Sequence, residues 1–105
     1  MQIARVLGTV VSTQKLDTMQ GVKLLVVQFV AANGELESRY EVAADRVGAG
    51  IGEWVLISRR AIAADPDGRE RSPIDALVVG IIDTVSTDTG LTYSKKDEYR
   101  YLQQG

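Results

Sequence analysis

Apolar and polar residues alternate with a period of two along most of this chain, and glycine, asparagine or aspartate interrupts the alternation at short intervals. That period belongs to strands whose side chains point to opposite faces. From Gln2 to Thr13, Ala4, Val6, Gly8 and Val10 fall on one face and Ile3, Arg5, Leu7, Thr9 and Val11 on the other. Gly8 in mid-strand predicts a bend or bulge. Ser12 to Gly21 is polar, shows neither period, and reads as a loop. Val22 to Val30 is the clearest strand, with Leu24 and Val26 facing one way and Leu25, Val27 and Phe29 the other. Two apolar faces on one strand imply a closed barrel with something packed outside it, or a subunit interface. Asn33-Gly34 supplies the residues of a tight hairpin. Leu36, Ser38, Tyr40 and Val42 then carry the returning alternation, with Glu37, Arg39 and Glu41 on the opposite, wetter face.

Val47 to Ser58 joins glycines at 48, 50 and 52 to an apolar run holding the only tryptophan, Trp54. This pattern predicts a tight loop feeding a core strand. The glycines do not make a phosphate cradle. The dinucleotide fingerprint needs glycine where Glu53 stands, the Gly-Lys-Ser/Thr ending of a P-loop is missing, and Trp54 to Ile57 are strand formers, not the opening of a helix.

After Ser58 the chain becomes charged and punctuated by Pro66, Gly68 and Pro73, the longest excursion from the core. Ser72-Pro73-Ile74-Asp75 predicts one short helical turn, with Ser72 capping and Pro73 at its first position. Leu77 to Val85 predicts a buried strand, Ser86 to Gly90 a turn, and Leu91 to Ser94 a last short strand. The expected fold is all-β, a small OB-like barrel of roughly five or six strands with one short helical turn. Residues 1–105 are expected to form a single domain, with 95–105 either a terminal helical turn or a tail that a neighbour orders.

Composition narrows the functions available. The formal net charge of −2 lacks the broad positive field of a nucleic-acid protein. With neither cysteine nor histidine, the chain has no disulfide, thiolate, imidazole base or usual zinc ligand, so neither catalysis, cofactor nor metal is expected. Asp45, Asp75 and Asp83 read as turn, helix-start and strand-end residues, because no nucleophile or base accompanies them. The N-terminus lacks a leader pattern and the longest apolar run, Ala76 to Ile82, is too short for a bilayer, so a cytoplasmic location without membrane contact is expected. Tyr93, Tyr99 and Tyr101, interspersed with Lys95, Lys96 and Arg100, have the look of a stacking platform for single strands, but the acidic total favours a protein contact. An OB-type module for single-stranded nucleic acid or oligosaccharide is the alternative function. Trp54 reads as core.

Several segments, in order, carry a family resemblance. They are Ile3-Ala4-Arg5-Val6 with Gly8-Thr9-Val10, Gly21 to Leu25, Tyr40 to Asp45, Val47 to Gly50 with Glu53 to Leu56, and Pro73 to Ala76 with Val79 to Val85. With them the chain resembles the bacterial microcompartment vertex family of CcmL/EutN type, and Tyr93-Ser94-Lys95-Lys96 is similar to its carboxysome branch. The resemblance implies a homopentamer of OB-like barrels capping the vertices of a carboxysome shell, in contact with hexameric shell proteins and an internal scaffold protein. It thereby supports carbon dioxide fixation. A five-fold ring needs a heterologous interface. Gly48 and Gly50, where backbones can approach closely, and Leu25 and Val27 on the apolar strand are the expected contact residues. Arg59 and Arg60, with Arg69 and Arg71, either surround an axial opening with positive charge, where anions such as bicarbonate would pass, or belong to a solvated loop, which the charge pattern favours. The segment Arg59 to Ala64 lacks the Gly-Ser-Ser-Ala-Arg pattern of the family, so that loop's role is not carried over.

Overall fold

A computed structural model describes residues 1–12, 21–59 and 75–95. Strands β1 (Gln2–Val10), β2 (Lys23–Val30), β3 (Leu36–Asp45), β4 (Trp54–Arg59) and β5 (Ala76–Ile81) close a barrel in the order β1-β2-β3-β5-β4. Strands β6 (Thr84–Thr87) and β7 (Gly90–Ser94) form a separate hairpin. Every barrel pairing is antiparallel except β3 with β5, which run parallel over Ala44↔Leu77 and Asp45↔Val78. The small closed barrel expected from the alternation is therefore present. Of the expected helical turn, only Asp75 lies within the described residues, and of the expected tail only Lys95. The loop Ser12 to Gly21 is described only at its two ends.

The barrel interior is filled by Leu25, Val27 and Phe29 of β2, Val6 of β1, and Val55 and Ile57 of β4, all at most 2% exposed. Burying each such side chain contributes about 1.5–3 kcal/mol, the main favourable term in so small a domain. A second apolar cluster lies outside the barrel wall. Trp54 and Val30 there meet Ile82 and Tyr93, so the β6–β7 hairpin covers the outer side of β1 and β4.

Gly8 marks a bulge as its sequence position predicts: Val6 faces Val27, the next pair is Gly8↔Val26, and Leu7 is the extra residue. An added residue reverses strand parity. Ala4 and Val6 consequently point inward, whereas Gly8 and Val10 pair with the outward Val26 and Leu24, which corrects the expected shared face.

The expected sidedness of β3 is also reversed. Leu36, Tyr40 and Val42 are exposed, while Glu41 and Ala43 pair with the inward Val27 and Leu25. The charged side of β3 closes one end of the barrel, with the Arg39 guanidinium 4.4 Å from the Phe29 ring centre and that of Arg59 at 5.5 Å. Aliphatic stems and planar cations cover an aromatic ring there while their charged ends stay wet.

The predicted strand Leu77 to Val85 is two strands. Ile82 N–H donates to Trp54 O at 2.8 Å as β5 ends, and Lys95 N–H donates to Asp83 O at 2.9 Å as the hairpin begins. The hairpin turn is shorter than expected, since β6 runs to Thr87 and Gly90, with φ of 119°, already opens β7.

Candidate functional site

The loop between β3 and β4 is built around two carboxylates. Asp45, its side chain fully buried at the end of β3, accepts backbone N–H bonds from Val47 at 3.0 Å, Gly48 at 3.1 Å and Ala49 at 2.9 Å. Three donors on one carboxylate bind the chain into a fixed turn. Lys23 on β2 adds its ammonium 3.5 Å from Asp45 Oδ2 and donates to Ala49 O at 3.2 Å. Gly48 and Gly52 adopt φ of 83° and 89°, which explains two of the glycines, because side-chain-bearing residues rarely take that region.

Glu53 holds the other end. Its Oε1 accepts from Gly50 N–H at 2.6 Å and its Oε2 meets Lys95 Nζ at 2.7 Å. The hydrogen bond from Lys95 holds the Glu53 carboxyl below its ordinary value, outweighing an opposing effect of burial, and the same bond raises Lys95. Gly52 N–H to Val6 O at 2.8 Å and Val6 N–H to Glu53 O at 2.9 Å fasten the loop to β1 at its bulge. The loop is thus rigid, with Val47 and Ile51 exposed on it.

The structure places the predicted site residues in different settings. Gly48 and Gly50 are exposed on this loop. Leu25 and Val27 are not on the surface: both lie in the barrel core, and the outward residues of the same strand are Leu24 and Val26. Sequence parity alone separates these two sets without saying which is inside. Gln28 is the signal that decides, because a polar residue well within the strand shares the parity of Leu24 and Val26. Arg59 ends β4, its guanidinium paired with both oxygens of Glu41 and its Nε donating to Gln2 Oε1 at 3.2 Å. Arg60, Arg69 and Arg71 lie outside the described residues.

Tyr93 is no open stacking platform. Its ring lies 4.2 Å from that of Trp54 with an 8° angle between planes, and both are under 9% exposed. Phe29 is buried too, so Tyr40 is the one exposed aromatic among the described residues. Tyr99 and Tyr101 lie outside them. Among the described residues no group of three or more carboxylates is gathered as a metal would require. Asp45 is a turn-forming residue, Asp75 precedes β5, and Asp83 accepts a backbone bond at the barrel exit.

What this arrangement can do is present fixed surfaces: a loop fastened by two carboxylates, and beside it the outer side of β3, where Tyr40 and Val42 are exposed. That defines a small closed barrel built for contact. The family described as ethanolamine utilisation protein EutN/carboxysome matches residues 1–83, and the chain belongs to that family. Carboxysome shell vertex protein CcmL of Nostoc sp. is 58% identical over 101 residues, covering 95% of this chain and all of the relative. The structure of Gloeobacter violaceus CcmL superposes with a TM-score of 0.85 at 57% identity, covering 92% of this chain and all of that one. GrpN, a pentameric microcompartment shell protein from Rhodospirillum rubrum, superposes at 0.74 with 44% identity, covering 83% of this chain and 98% of that one.

Proposed function

We propose that this chain is a non-catalytic vertex subunit of a carboxysome shell, located in the cytoplasm, where five copies form a ring that closes a corner of the polyhedron. The observation that carries the reading is the 58% identity to a carboxysome shell vertex protein along that relative's whole length. The physical need is geometric. A flat layer of hexagonal tiles cannot close on itself, and a pentagonal unit supplies the curvature. Hexameric shell proteins surround each ring, and an internal scaffold protein meets its inner side. By sealing the corner the ring keeps carbon dioxide near the enclosed enzyme.

A five-fold ring is heterologous, so one patch of each barrel fits a different patch of the next. The glycine loop with Gly48 and Gly50 is one such patch, since its backbone is exposed and held rigid by Asp45 and Glu53. Arg59 is engaged by Glu41, which favours a structural role over an anion-lined opening.

Native mass spectrometry of the intact chain tests this reading. A mass five times that of the subunit is expected, and a single subunit across a wide concentration range overturns it. Expression in a carboxysome-bearing cell lacking its own vertex protein tests the role in closure: sealed polyhedral shells are expected, and open or elongated ones count against it.

A further inference from the structure

Asn33 is the only asparagine of the chain, and glycine follows it. The pair sits at the tip of the β2–β3 hairpin, in a loop where Ala31 N–H donates to Glu35 O at 2.9 Å and Gly34, with φ of 90°, takes the left-handed position. Asn33 is exposed there. Its Oδ1 accepts from Glu35 N–H at 3.0 Å, and the ring of atoms closed by that bond contains the Gly34 nitrogen. The side-chain carbonyl is polarised, and a donor already faces the oxygen that would take up negative charge if the Gly34 nitrogen attacked the carboxamide carbon. Glycine puts no side chain in the way. What restrains the attack is the bond from Gly34 N–H to Ala31 O at 2.9 Å, and bonds in an exposed loop open locally more often than those of a core sheet. The same loop is seated on β7. Thr92 Oγ1 donates to Ala32 O at 3.3 Å, and a Cβ placed on Gly34 would stand 2.9 Å from Thr92 Cγ2 and 3.9 Å from Trp54 Cη2.

We propose that Asn33 is a site of spontaneous deamidation, and that its iso-aspartyl product unseats the β6–β7 hairpin from the barrel. When the bond to Ala31 opens, base takes the Gly34 amide proton, the nitrogen bonds to Asn33 Cγ, and Nδ2 leaves as ammonia, which closes a succinimide ring. Water then adds to either ring carbonyl. Opening at Cγ restores the original main chain with an aspartate at 33, whereas opening at the main-chain carbonyl carbon leaves Gly34 joined through Cγ as an iso-aspartate. Either way a carboxamide and a water become a carboxylic acid and ammonia, with nothing oxidised or reduced. The iso-aspartyl product inserts an extra carbon into the main chain of a loop that has no spare room toward Thr92, and it adds negative charge beside exposed Glu35. The lengthened loop therefore presses on Thr92 and on the edge of Trp54, the two residues through which it meets the hairpin joint. A two-stranded hairpin is at best marginal in water by itself, so weakened docking is felt along all of β6–β7.

Ageing the purified chain at mildly alkaline pH and physiological temperature tests the site. The expected result is a mass gain equal to the replacement of NH by oxygen, mapped to Asn33 by peptide analysis, together with methyl transfer to the protein by an isoaspartyl methyltransferase. Asn33→Gln is expected to lose both signals. A wild-type chain still unmodified when a synthetic peptide of residues 29–37 has fully converted overturns the site. Hydrogen exchange on the converted chain, separated by its added negative charge, tests the consequence. Amides of β6 and β7 are expected to lose protection while those of β2 keep theirs, and Asn33→Asp, which has the charge without the longer main chain, is expected to stay at the wild-type level. Undiminished protection in the iso-aspartyl chain overturns the coupling to the hairpin and leaves the site standing. An equal loss in Asn33→Asp overturns the assignment of that loss to main-chain length.

Discussion

Glu53 and Lys95 meet at 2.7 Å and so tie the glycine loop to the end of β7, two regions that approach only once the barrel has closed. The other oxygen of the same carboxylate accepts from Gly50 N–H, which makes Glu53 the shared fastener of loop and hairpin. The pH dependence follows from the two shifts. The Glu53 carboxyl is lowered in the folded state, so its contribution is complete above the unfolded carboxylate value and is lost as pH falls through the lowered one. Lys95 is raised, so its contribution is complete below the ordinary lysine value and disappears as pH rises through the raised one. The fastening is intact at neutral pH and opens at both extremes. Protection of the Gly50 amide against hydrogen exchange, taken relative to its intrinsic rate at each pH, should fall on acidification, and Glu53→Gln should remove most of that acid dependence. An unchanged acid limb in the variant would assign the effect elsewhere.

Asp45→Ala leaves the amides of Val47, Gly48 and Ala49 without their acceptor. Ala49 is buried, so water cannot simply replace the bond there. The expected loss is about 3 kcal/mol in urea unfolding, with Asp45→Asn intermediate because one acceptor oxygen survives. A loss below about 1 kcal/mol for the alanine variant would show that the loop re-forms on other contacts.

Leu25 and Leu24 are neighbours with opposite fates. Leu25→Ala empties part of the core and should destabilise the fold by about 2–5 kcal/mol, with the oligomeric state of the folded fraction unchanged. Leu24→Ala, on the outward parity, should cost less than about 1.5 kcal/mol. Chemical denaturation of the two variants side by side checks the order, and equal losses would contradict the observed sidedness of β2.

Gly34→Ala is expected to strain the hairpin twice over. The backbone there has φ of 90°, and an added Cβ would stand 2.9 Å from Thr92 Cγ2. Both effects together should cost about 1–3 kcal/mol by thermal unfolding, and the pair with Thr92→Ser should recover the steric part only. Complete recovery would mean that the backbone conformation carries no cost.

Much of the barrel was legible because alternation with turn residues between runs is sufficient to place strands. Val22 to Val30 and Asn33-Gly34 appear where the pattern puts them, and Gly8 does mark a bulge. What was not legible is sidedness. Polarity places Glu37, Arg39 and Glu41 in water, yet these charges close the barrel end, over Phe29 and against Arg59, where long side chains can bury stems and leave heads solvated. The parity change at Leu7 likewise depends on a register that local sequence does not contain. The Glu53–Lys95 contact joins distant segments, so spacing gave no hint of it. The expected contact pair Leu25 and Val27 fell on the inner parity for the same reason: two apolar faces look alike until the sheet has curled.

The near-parallel rings of Trp54 and Tyr93 have a practical consequence. Because the chain has a single indole and it is clamped between barrel wall and hairpin, its emission reports on one joint only. Lifting the hairpin away would wet the indole and shift its spectrum to the red while the cylinder itself stayed closed. The molecule therefore carries a built-in gauge of how firmly its outer flap is seated, readable on the purified protein without any label.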